Sequence, residues 1–197
     1  MKHSSLFNVI IFFMIAFISV GQTTGSFIDS RDGKSYKTVK IGIQVWMAEN
    51  LRYKFSESTI SFKIESYGCL YSYEEALKAC PSGWHLPADA EWTMLTNYLG
   101  GEKVAGGKLK ETGTTHWQDP NTGATNETGF TALPAGFRAY PMSGGYGKEA
   151  YWWSSTKADE DNALDRGIVY NDITVDRDND SSGESGYQIS VRCLRNN

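Results

Sequence analysis

Cys80-Pro-Ser-Gly-Trp-His-Leu-Pro87 separates two short helical patterns. Before it, Ser72 and Glu75 have the spacing of a capping box, which predicts the start of a first helix. The predicted apolar face of that helix consists of Tyr73, Ala76, Leu77 and Cys80. Pro81 ends the helix, because proline lacks an N–H and clashes with the preceding turn. Cys80 therefore closes the first helix on its predicted buried face.

The second helical pattern begins near Asp89 and ends at Gly100-Gly101. Its predicted buried face consists of Trp92, Leu95 and Leu99. The following stretch, residues 100–129, is rich in Gly, Thr and Asn, and we predict that it is mostly loop with Trp117 as its large anchor.

Strand patterns occupy both ends of the chain. Asp32-Gly33 is a hairpin turn signal between two short strands. Apolar residues alternate with other residues from Val39 to Val45, where Gly42 is expected to bend or break the strand.

Further strands are predicted after residue 150. Ala150–Thr156 is one strand, and Asp165–Tyr170 and Ile173–Val175 are the next two, joined by a turn at Asn171-Asp172. The last strand alternates over residues 187–193 and places Cys193 on its inward face.

Residues 1–21 have the pattern of a signal peptide. The apolar run Leu6–Val20 is short for a membrane span, and Ser19 and Gly21 are small residues before a predicted cut at Gln22. An uncleaved anchor is the alternative. No cysteine follows the run, so a lipid anchor has no acceptor thiol. The prediction is export to the periplasm or the cell exterior, with no transmembrane span after cleavage.

The remaining residues, 22–197, fit a single domain that is large enough for a hydrophobic core. The whole chain has 197 residues and a net charge of −4, which argues against nucleic acid as a partner. Export also permits a disulfide between two of the three cysteines Cys69, Cys80 and Cys193.

Six blocks of sequence, in order, resemble the Fibrobacter succinogenes major paralogous domain. They are Val39–Leu51, Leu70–Leu77, Cys80–Pro87 with Asp89-Ala-Glu-Trp92, Phe130–Arg138, Trp153-Ser-Ser-Thr156 and Ser190–Arg195. The resemblance spans nearly all of residues 27–197. Members of that family are exported by gut and fibre-associated Bacteroidetes and Fibrobacteres, which implies a place in or outside the cell envelope.

The resemblance implies an α+β fold similar to C-type lectin-like domains. Two short helices would flank a small, twisted, mostly antiparallel sheet with long loops and adjacent termini. It also implies a disulfide from the first helix to the last strand, which matches Cys80 and Cys193. A Cys69–Cys80 bond, or no bond, is the alternative.

The sequence does not predict an enzyme. A nucleophile–base pair would need Cys69 or a serine with His85 or His116, and His85 lies in a turn where a structural hydrogen bond is expected. The formylglycine-generating enzymes, whose fold is related, use two active-site cysteines. Once Cys80 and Cys193 form a disulfide, only Cys69 is left, and it is interpreted as a small buried hydrophobe.

Residues 159–184 are acidic. They contain Asp159, Glu160, Asp161, Asp165, Asp172, Asp176, Asp178, Asp180 and Glu184. Asp176, Asp178 and Asp180 have the spacing of calcium ligands. However, Ser181 and Tyr187 stand where an EF-hand needs Gly and Glu. We therefore predict a solvated acidic loop and no cofactor, with calcium as the alternative.

Aromatic residues supply the candidate ligand contacts, namely Trp117, Tyr146, Tyr151, Trp152 and Trp153. Neighbours on a strand point to opposite faces, so one of Trp152 and Trp153 is expected in the core while the other could be exposed. Packing is the competing interpretation for each tryptophan. The predicted function is a non-enzymatic module that binds polysaccharide through loops 140–150 and 157–186. The alternative is a structural or protein-binding envelope module with no glycan affinity.

Overall fold

The computed structural model describes residues 23–57, 59–61, 65–139, 142–179 and 186–197. The predicted signal peptide, residues 1–21, lies outside these ranges, as does Asp180. The α-helices are α1 (Tyr73–Ala79), α2 (Asp89–Tyr98) and α3 (Glu102–Leu109). The strands are β1 (Thr24–Ile28), β2 (Ser35–Ile41), β3 (Gln44–Met47), β4 (Ile60–Ser61), β5 (Cys69–Tyr71), β6 (Trp84–His85), β7 (Phe137–Ala139), β8 (Met142–Gly144), β9 (Glu149–Lys157), β10 (Ala163–Val169), β11 (Asp176–Asp178), β12 (Ile189–Ser190) and β13 (Leu194–Arg195).

The strands form two main sheets and a small hairpin. The first sheet has the order β1-β2-β3-β13-β6, so its C-terminal strand joins the strands of the N-terminal hairpins. The second has the order β11-β10-β9-β12-β5-β4, and β7 pairs with β8 alone. All of these pairs are antiparallel except β9 with β12, which run parallel where Ser190 meets Trp152. The fold is therefore α+β with mostly antiparallel sheets, as predicted.

The N-terminal turns follow the predicted pattern. Asp32-Gly33 lies in the turn that joins β1 to β2, and Gly42 lies in the turn that joins β2 to β3. Both glycines have positive φ, which costs a residue without a Cβ little. Tyr36 and Ile41 lie on opposite faces of β2 and are both buried, whereas Lys37 is exposed.

The first helix begins as predicted, with the capping box of Ser72 and Glu75. Its buried face differs from the prediction, because Leu77 is 48% exposed. Tyr73, Ala76 and Ala79 are the buried apolar residues of this helix. Glu75 is buried beside them because its carboxylate also accepts a hydrogen bond from Thr59. The buried face of α1 is therefore rotated away from Leu77, toward Glu75 and Ala79.

A third helix, α3, was not predicted, because its sequence contains Gly106 and Gly107. Both glycines are required by close backbone packing. A Cβ on Gly106 would lie 2.1 Å from the carbonyl oxygen of Thr174, and one on Gly107 would lie 2.5 Å from that of Gly123. The prediction of a loop here was therefore wrong for Glu102–Leu109.

The strand predicted at Ile173–Val175 is shifted to Asp176–Asp178. Residues 173–175 run along α3 instead, where the carbonyl of Ile173 accepts from Gly107 N–H and Val175 N–H donates to the carbonyl of Glu102. These backbone bonds replace a sheet partner over this segment.

Two aromatic clusters fill the core. One surrounds Trp46, Trp92, Trp117, Phe130 and Trp152, and the other surrounds Tyr36, Tyr71 and Trp153. The disulfide Cys80–Cys193 is confirmed, with a Cα–Cα distance of 5.9 Å. It ties the end of α1 to the residue before β13. Cys69 is buried in β5, outside that bond.

His85 makes the structural hydrogen bonds that its turn indicates. Its Nδ1 lies 2.7 Å from Asn196 Oδ1 and its Nε2 lies 3.0 Å from the Glu91 carboxylate. Glu91 also accepts from the Ala88 N–H at the start of α2. The described residues contain no helix with the length and apolar character needed to cross a bilayer.

Candidate functional site

A cleft of about 470 Å³ lies between the first sheet and the segments that follow α3. We call it the His116 cleft. Its lining residues are Thr24, Gly25, Lys37, Thr38, Ala48, Glu49, Ser66, Glu111, His116, Gly129, Thr131 and Leu133. A cavity of this size is in the range of small-molecule sites. The lining combines three threonines, two carboxylates, one ammonium and one imidazole.

One wall carries the pair Glu111 and His116, whose Oε2 and Nδ1 atoms are 2.7 Å apart. Glu111 directly follows the buried Lys110, and His116 directly precedes the buried Trp117. Trp117 donates from Nε1 to the carbonyl of Ala132, at 2.9 Å, and so fixes the backbone beside His116. Since Nδ1 is bonded to Glu111, Nε2 is the imidazole nitrogen that can bind other groups.

The anchor beside Glu111 is Lys110, whose side chain is fully buried. Its ammonium group donates to the carbonyl oxygens of Asp172, Val169 and Tyr170, at 2.7, 3.1 and 3.4 Å. Burial lowers the pKa of Lys110 to about 8. A buried ammonium group needs several acceptors, and these carbonyls hold the end of α3 against the turn after β10.

The opposite wall comes from the hairpin of β2 and β3. Glu49 Oε2 accepts a hydrogen bond of 2.5 Å from the backbone N–H of Lys37. The side chain of Lys37 is exposed, since it alternates with the buried Tyr36 and Thr38 along β2. Charged groups of both signs thus reach the cleft from this wall.

Thr131 lines the cleft in an uncommon backbone conformation, with φ of 54°. The left-handed region is unfavourable for a β-branched residue. Two hydrogen bonds with Asn126 stabilise it: Thr131 N–H donates to Oδ1 at 2.9 Å, and Nδ2 donates to Thr131 Oγ1 at 3.1 Å. Strained residues of this kind concentrate at functional sites.

An exposed aromatic ring does not line the cleft itself but connects to its lining residue His116 through the Tyr67 ring. Tyr146 is 51% exposed, and its ring centroid is 4.8 Å from that of the buried Tyr67. The Tyr67 ring also meets the His116 ring edge to face, at 5.3 Å. Burial raises the pKa of Tyr67 well above its usual value, and a hydrogen bond with Tyr146 and the charge of Glu111 add to this. One contiguous group of side chains is thus formed by Tyr146, Tyr67, His116 and Glu111.

Of the five predicted ligand-binding aromatics, only Tyr146 belongs to this group. Trp117, Trp152 and Trp153 are each at most 1% exposed. Trp152 Nε1 donates to Asn50 Oδ1 and Trp153 Nε1 donates to the carbonyl of Tyr71, both at 2.8 Å. The expectation that one of the pair could be exposed is wrong, because both faces of β9 are covered by core clusters. Tyr151 is half-buried against Phe137 and does not line the cleft.

The acidic segment contributes Asp176 and Asp178, which are exposed on the edge strand β11. Burial raises the pKa of Asp176, and the charges of Asp178 and Asp172 raise it further. Within the described residues, no group of three His, Cys, Asp or Glu side chains has the geometry of a metal site. Asp180, the third predicted ligand, lies outside those residues.

A second cavity, of about 590 Å³, lies at the start of α2, beside β11. Its carboxylate Asp89 is 2.6 Å from Arg166 and 3.0 Å from Arg177. Burial raises the pKa of Asp89, but the hydrogen bonds from Arg177 and Arg166 outweigh it, so that the pKa is lowered. Since these groups already satisfy one another, the second cavity is the weaker candidate.

Sequence reasoning missed most of the His116 cleft. Lys37, Glu49, Glu111 and Thr131 lie far apart in the chain and share no motif. The one local signal is the pair Asn126 and Gly129, which precede Thr131, because such residues mark turns with positive φ.

The fold and the cleft define a disulfide-linked α+β domain with a small cavity that combines charged and apolar side chains. The family model described as the Fibrobacter succinogenes major domain matches residues 39–195. The chain therefore belongs to this family, as its sequence blocks predicted. No curated protein and no solved structure is detectably similar to the chain.

Proposed function

We propose that this protein is an exported, non-enzymatic binding module with a C-type lectin-like fold, and that it binds a glycan at the His116 cleft. The single observation that supports this most strongly is the exposed Tyr146 ring, which packs on Tyr67 and through it reaches His116 in the cleft wall. A sugar presents an apolar face of C–H groups that can pack on such a ring, while its hydroxyl groups both donate and accept hydrogen bonds.

The lining of the cleft supports a ligand that is rich in hydroxyl groups. Glu49 and Glu111 accept hydrogen bonds, Lys37 donates them, and His116 can do either through Nε2. Ala48 and Leu133 add apolar surface. This mixture of a few convergent polar groups with apolar contacts is typical of a site that fixes a small ligand in one orientation.

The charge of the cleft favours neutral or amino sugars over uronic acids. Its lining contains two carboxylates and one ammonium, with His116 as the remaining titratable group. A uronic acid would place a third carboxylate among them, and like charges repel in a partly desolvated site. Binding should therefore be weakest for pectin and alginate.

Binding without catalysis fits the groups that line the cleft. Cys69 is 2% exposed and does not line the cleft. Ser66 does line it, but among the described residues it forms no hydrogen bond with His116, whose partner is Glu111, so neither residue supports a nucleophile–base pair. The hydrogen bond between Glu111 and His116 fixes the imidazole ring, which can then contact a ligand through Nε2.

The test is binding of the purified protein to xylan, mannan, cellulose, chitosan, pectin and alginate, with calcium and with chelator. We expect binding to a neutral or amino glycan that is unchanged by chelator. Glu111→Gln should weaken it at least about tenfold, because a hydrogen bond to a charged group is worth about 1.5–3 kcal/mol. Glu57→Gln is the matched control, since Glu57 is an exposed carboxylate paired with Lys54 that does not line the cleft.

Three outcomes would contradict parts of this proposal. Binding that is lost in chelator would point to calcium at the acidic segment. Equal losses in Glu111→Gln and Glu57→Gln would move the site away from the cleft. No affinity for any of these glycans would overturn the glycan proposal.

A protein-binding module is the second candidate, and an exposed apolar surface favours it. Ile43, Met94 and Tyr98 are all exposed, with Tyr98 packed against the turn at Gly42. Exposed apolar side chains that cluster often mark a protein interface. Affinity capture with Met94→Lys as the comparison would test this candidate.

A further inference from the structure

The buried side chains of Asn50 and Arg192 connect the two parts of the His116 cleft that carry its distinctive groups. Both residues are at most 1% exposed. Asn50 follows β3 and Arg192 lies between β12 and β13, so the contact joins the two ends of the domain. Neither side chain lines the cleft itself.

Arg192 holds the segment that contains Thr131. Its Nη1 donates to the carbonyl of Phe130, and its Nη2 lies 3.4 Å from the carbonyl of Thr131. The guanidinium group also stacks on the Phe130 ring, 4.1 Å from its centroid. Because Thr131 has an unfavourable φ, these contacts with the carbonyl groups of Phe130 and Thr131 add to the two hydrogen bonds with Asn126 that keep it there.

Asn50 holds the segment that contains Tyr67. Its Nδ2 donates to the carbonyl of Tyr67 at 3.0 Å. Its Oδ1 accepts from Arg192 Nη2 at 2.7 Å, from Arg192 Nε at 3.1 Å and from Trp152 Nε1 at 2.8 Å. One amide group therefore links Arg192 to the residue whose ring contacts both His116 and Tyr146.

The charge of Arg192 is satisfied in an unusual way. Among the described residues, no carboxylate forms an ion pair with it, and its acceptors are one amide and two backbone carbonyls. Burial lowers the pKa of Arg192 to about 9, and the charge of Glu49, a cleft residue, raises it. A buried cation without a paired carboxylate is costly for stability, which indicates a role beyond packing.

We propose that Asn50 and Arg192 are positioning residues that set the distance between the Thr131 side and the Tyr67–His116 side of the cleft. This inference rests on the proposed function for its biological meaning. The geometry can be tested without a ligand.

The test uses two variants that separate the two sides. Asn50→Asp keeps an oxygen that can accept from Arg192 and Trp152, but it loses the amide donor to the Tyr67 carbonyl. Arg192→Lys keeps a positive charge but loses the planar fork that reaches Phe130 and Thr131. Arg166→Lys is the matched control, because Arg166 is also fully buried but contacts Asp89 and Thr93 of α2, outside the cleft.

The measurement is the NMR chemical shift of the His116 ring and of the Thr131 amide, alongside the melting temperature. We expect Asn50→Asp to shift the His116 ring most, and Arg192→Lys to shift the Thr131 amide most. Arg166→Lys should lower the melting temperature and leave both signals in place. The proposal is overturned if Asn50→Asp or Arg192→Lys folds and moves neither NMR signal. It is also overturned if Arg166→Lys moves both signals as far as those variants do.

Thr131→Gly keeps the proposal testable if Arg192→Lys alone does not fold. Glycine adopts positive φ without strain, so Arg192→Lys should lower the melting temperature less in a Thr131→Gly background than in the wild-type background. An equal or larger loss in the Thr131→Gly background would contradict the role of Arg192 in holding Thr131. Absence of glycan binding by the wild-type protein would contradict the proposed function alone, since the NMR shifts need no ligand.

Discussion

At the scale of single residues, the aromatic side chains divide into two groups with different roles. The Trp152 ring packs between those of Trp92 and Phe130, at centroid distances of 6.1 and 5.8 Å. The Tyr146 ring touches one buried ring and leaves half of its surface to solvent. Only a residue of the second kind can change ligand affinity without changing the core.

This difference predicts opposite effects of two alanine substitutions. Trp152→Ala should lower the free energy of unfolding by about 3–5 kcal/mol, because it leaves a cavity in the core. Tyr146→Ala should lower it by less than about 1 kcal/mol and should reduce glycan affinity. Urea unfolding followed by circular dichroism, with binding measured on the same samples, checks both values. A Tyr146→Ala protein as unstable as Trp152→Ala would place that ring in the core.

At the scale of elements, α3 shows how tertiary packing outweighs helix propensity. Gly106 and Gly107 lower the intrinsic stability of this helix, but they let it approach the backbone of residues 123 and 173–174. This contact positions Lys110 and Glu111 at the end of the helix, and Glu111 then reaches His116.

Close packing predicts that Gly106→Ala will destabilise the protein. In an exposed helix the same change would stabilise by about 1 kcal/mol. Here the new Cβ would meet the Thr174 carbonyl oxygen at 2.1 Å, and we expect a net loss of about 1–3 kcal/mol. Lys103→Ala, on the exposed side of α3, is the control and should change stability by less than about 0.5 kcal/mol. Chemical denaturation of both variants gives the comparison, and a stabilised Gly106→Ala would disprove the close contact.

At the scale of the whole molecule, the disulfide and the C-terminal strand close the fold. The bond between Cys80 and Cys193 spans a sequence separation of 113 residues. Next to it, β13 lies between β3 and β6 in the first sheet. Arg192 directly precedes Cys193, so the residue that we propose to position the cleft adjoins the disulfide that closes the fold.

Loss of the disulfide should therefore be costly. The double variant Cys80→Ala/Cys193→Ala should lose about 4–5 kcal/mol of stability in the chain-entropy model, given the long loop that the bond closes. Thermal unfolding with and without reductant measures this. Reductant should lower the melting temperature of the wild type and leave that of the double variant unchanged. A wild-type protein that reductant does not affect, although its thiols are shown to be reduced, would contradict this role.

Several parts of the fold could be predicted because their signals are local. The capping box at Ser72, the turns at Asp32-Gly33 and Gly42, and α2 each depend on a few adjacent residues. The exposure of Leu77, the burial of both Trp152 and Trp153, and the position of β11 could not be predicted. Each depends on which distant segment covers the residue, and hydrophobic periodicity carries no information about that.

The sequence by itself determined the family, the α+β class, the first two helices and, through the resemblance, the cysteine pair. Only the tertiary structure decided the candidate site. It brings Lys37 and Glu49 from one hairpin to Glu111, His116 and Thr131 from the segments after α3. The physical reason is that a cleft is formed by residues that the packing of a common core brings together, whereas a motif records only neighbours along the chain.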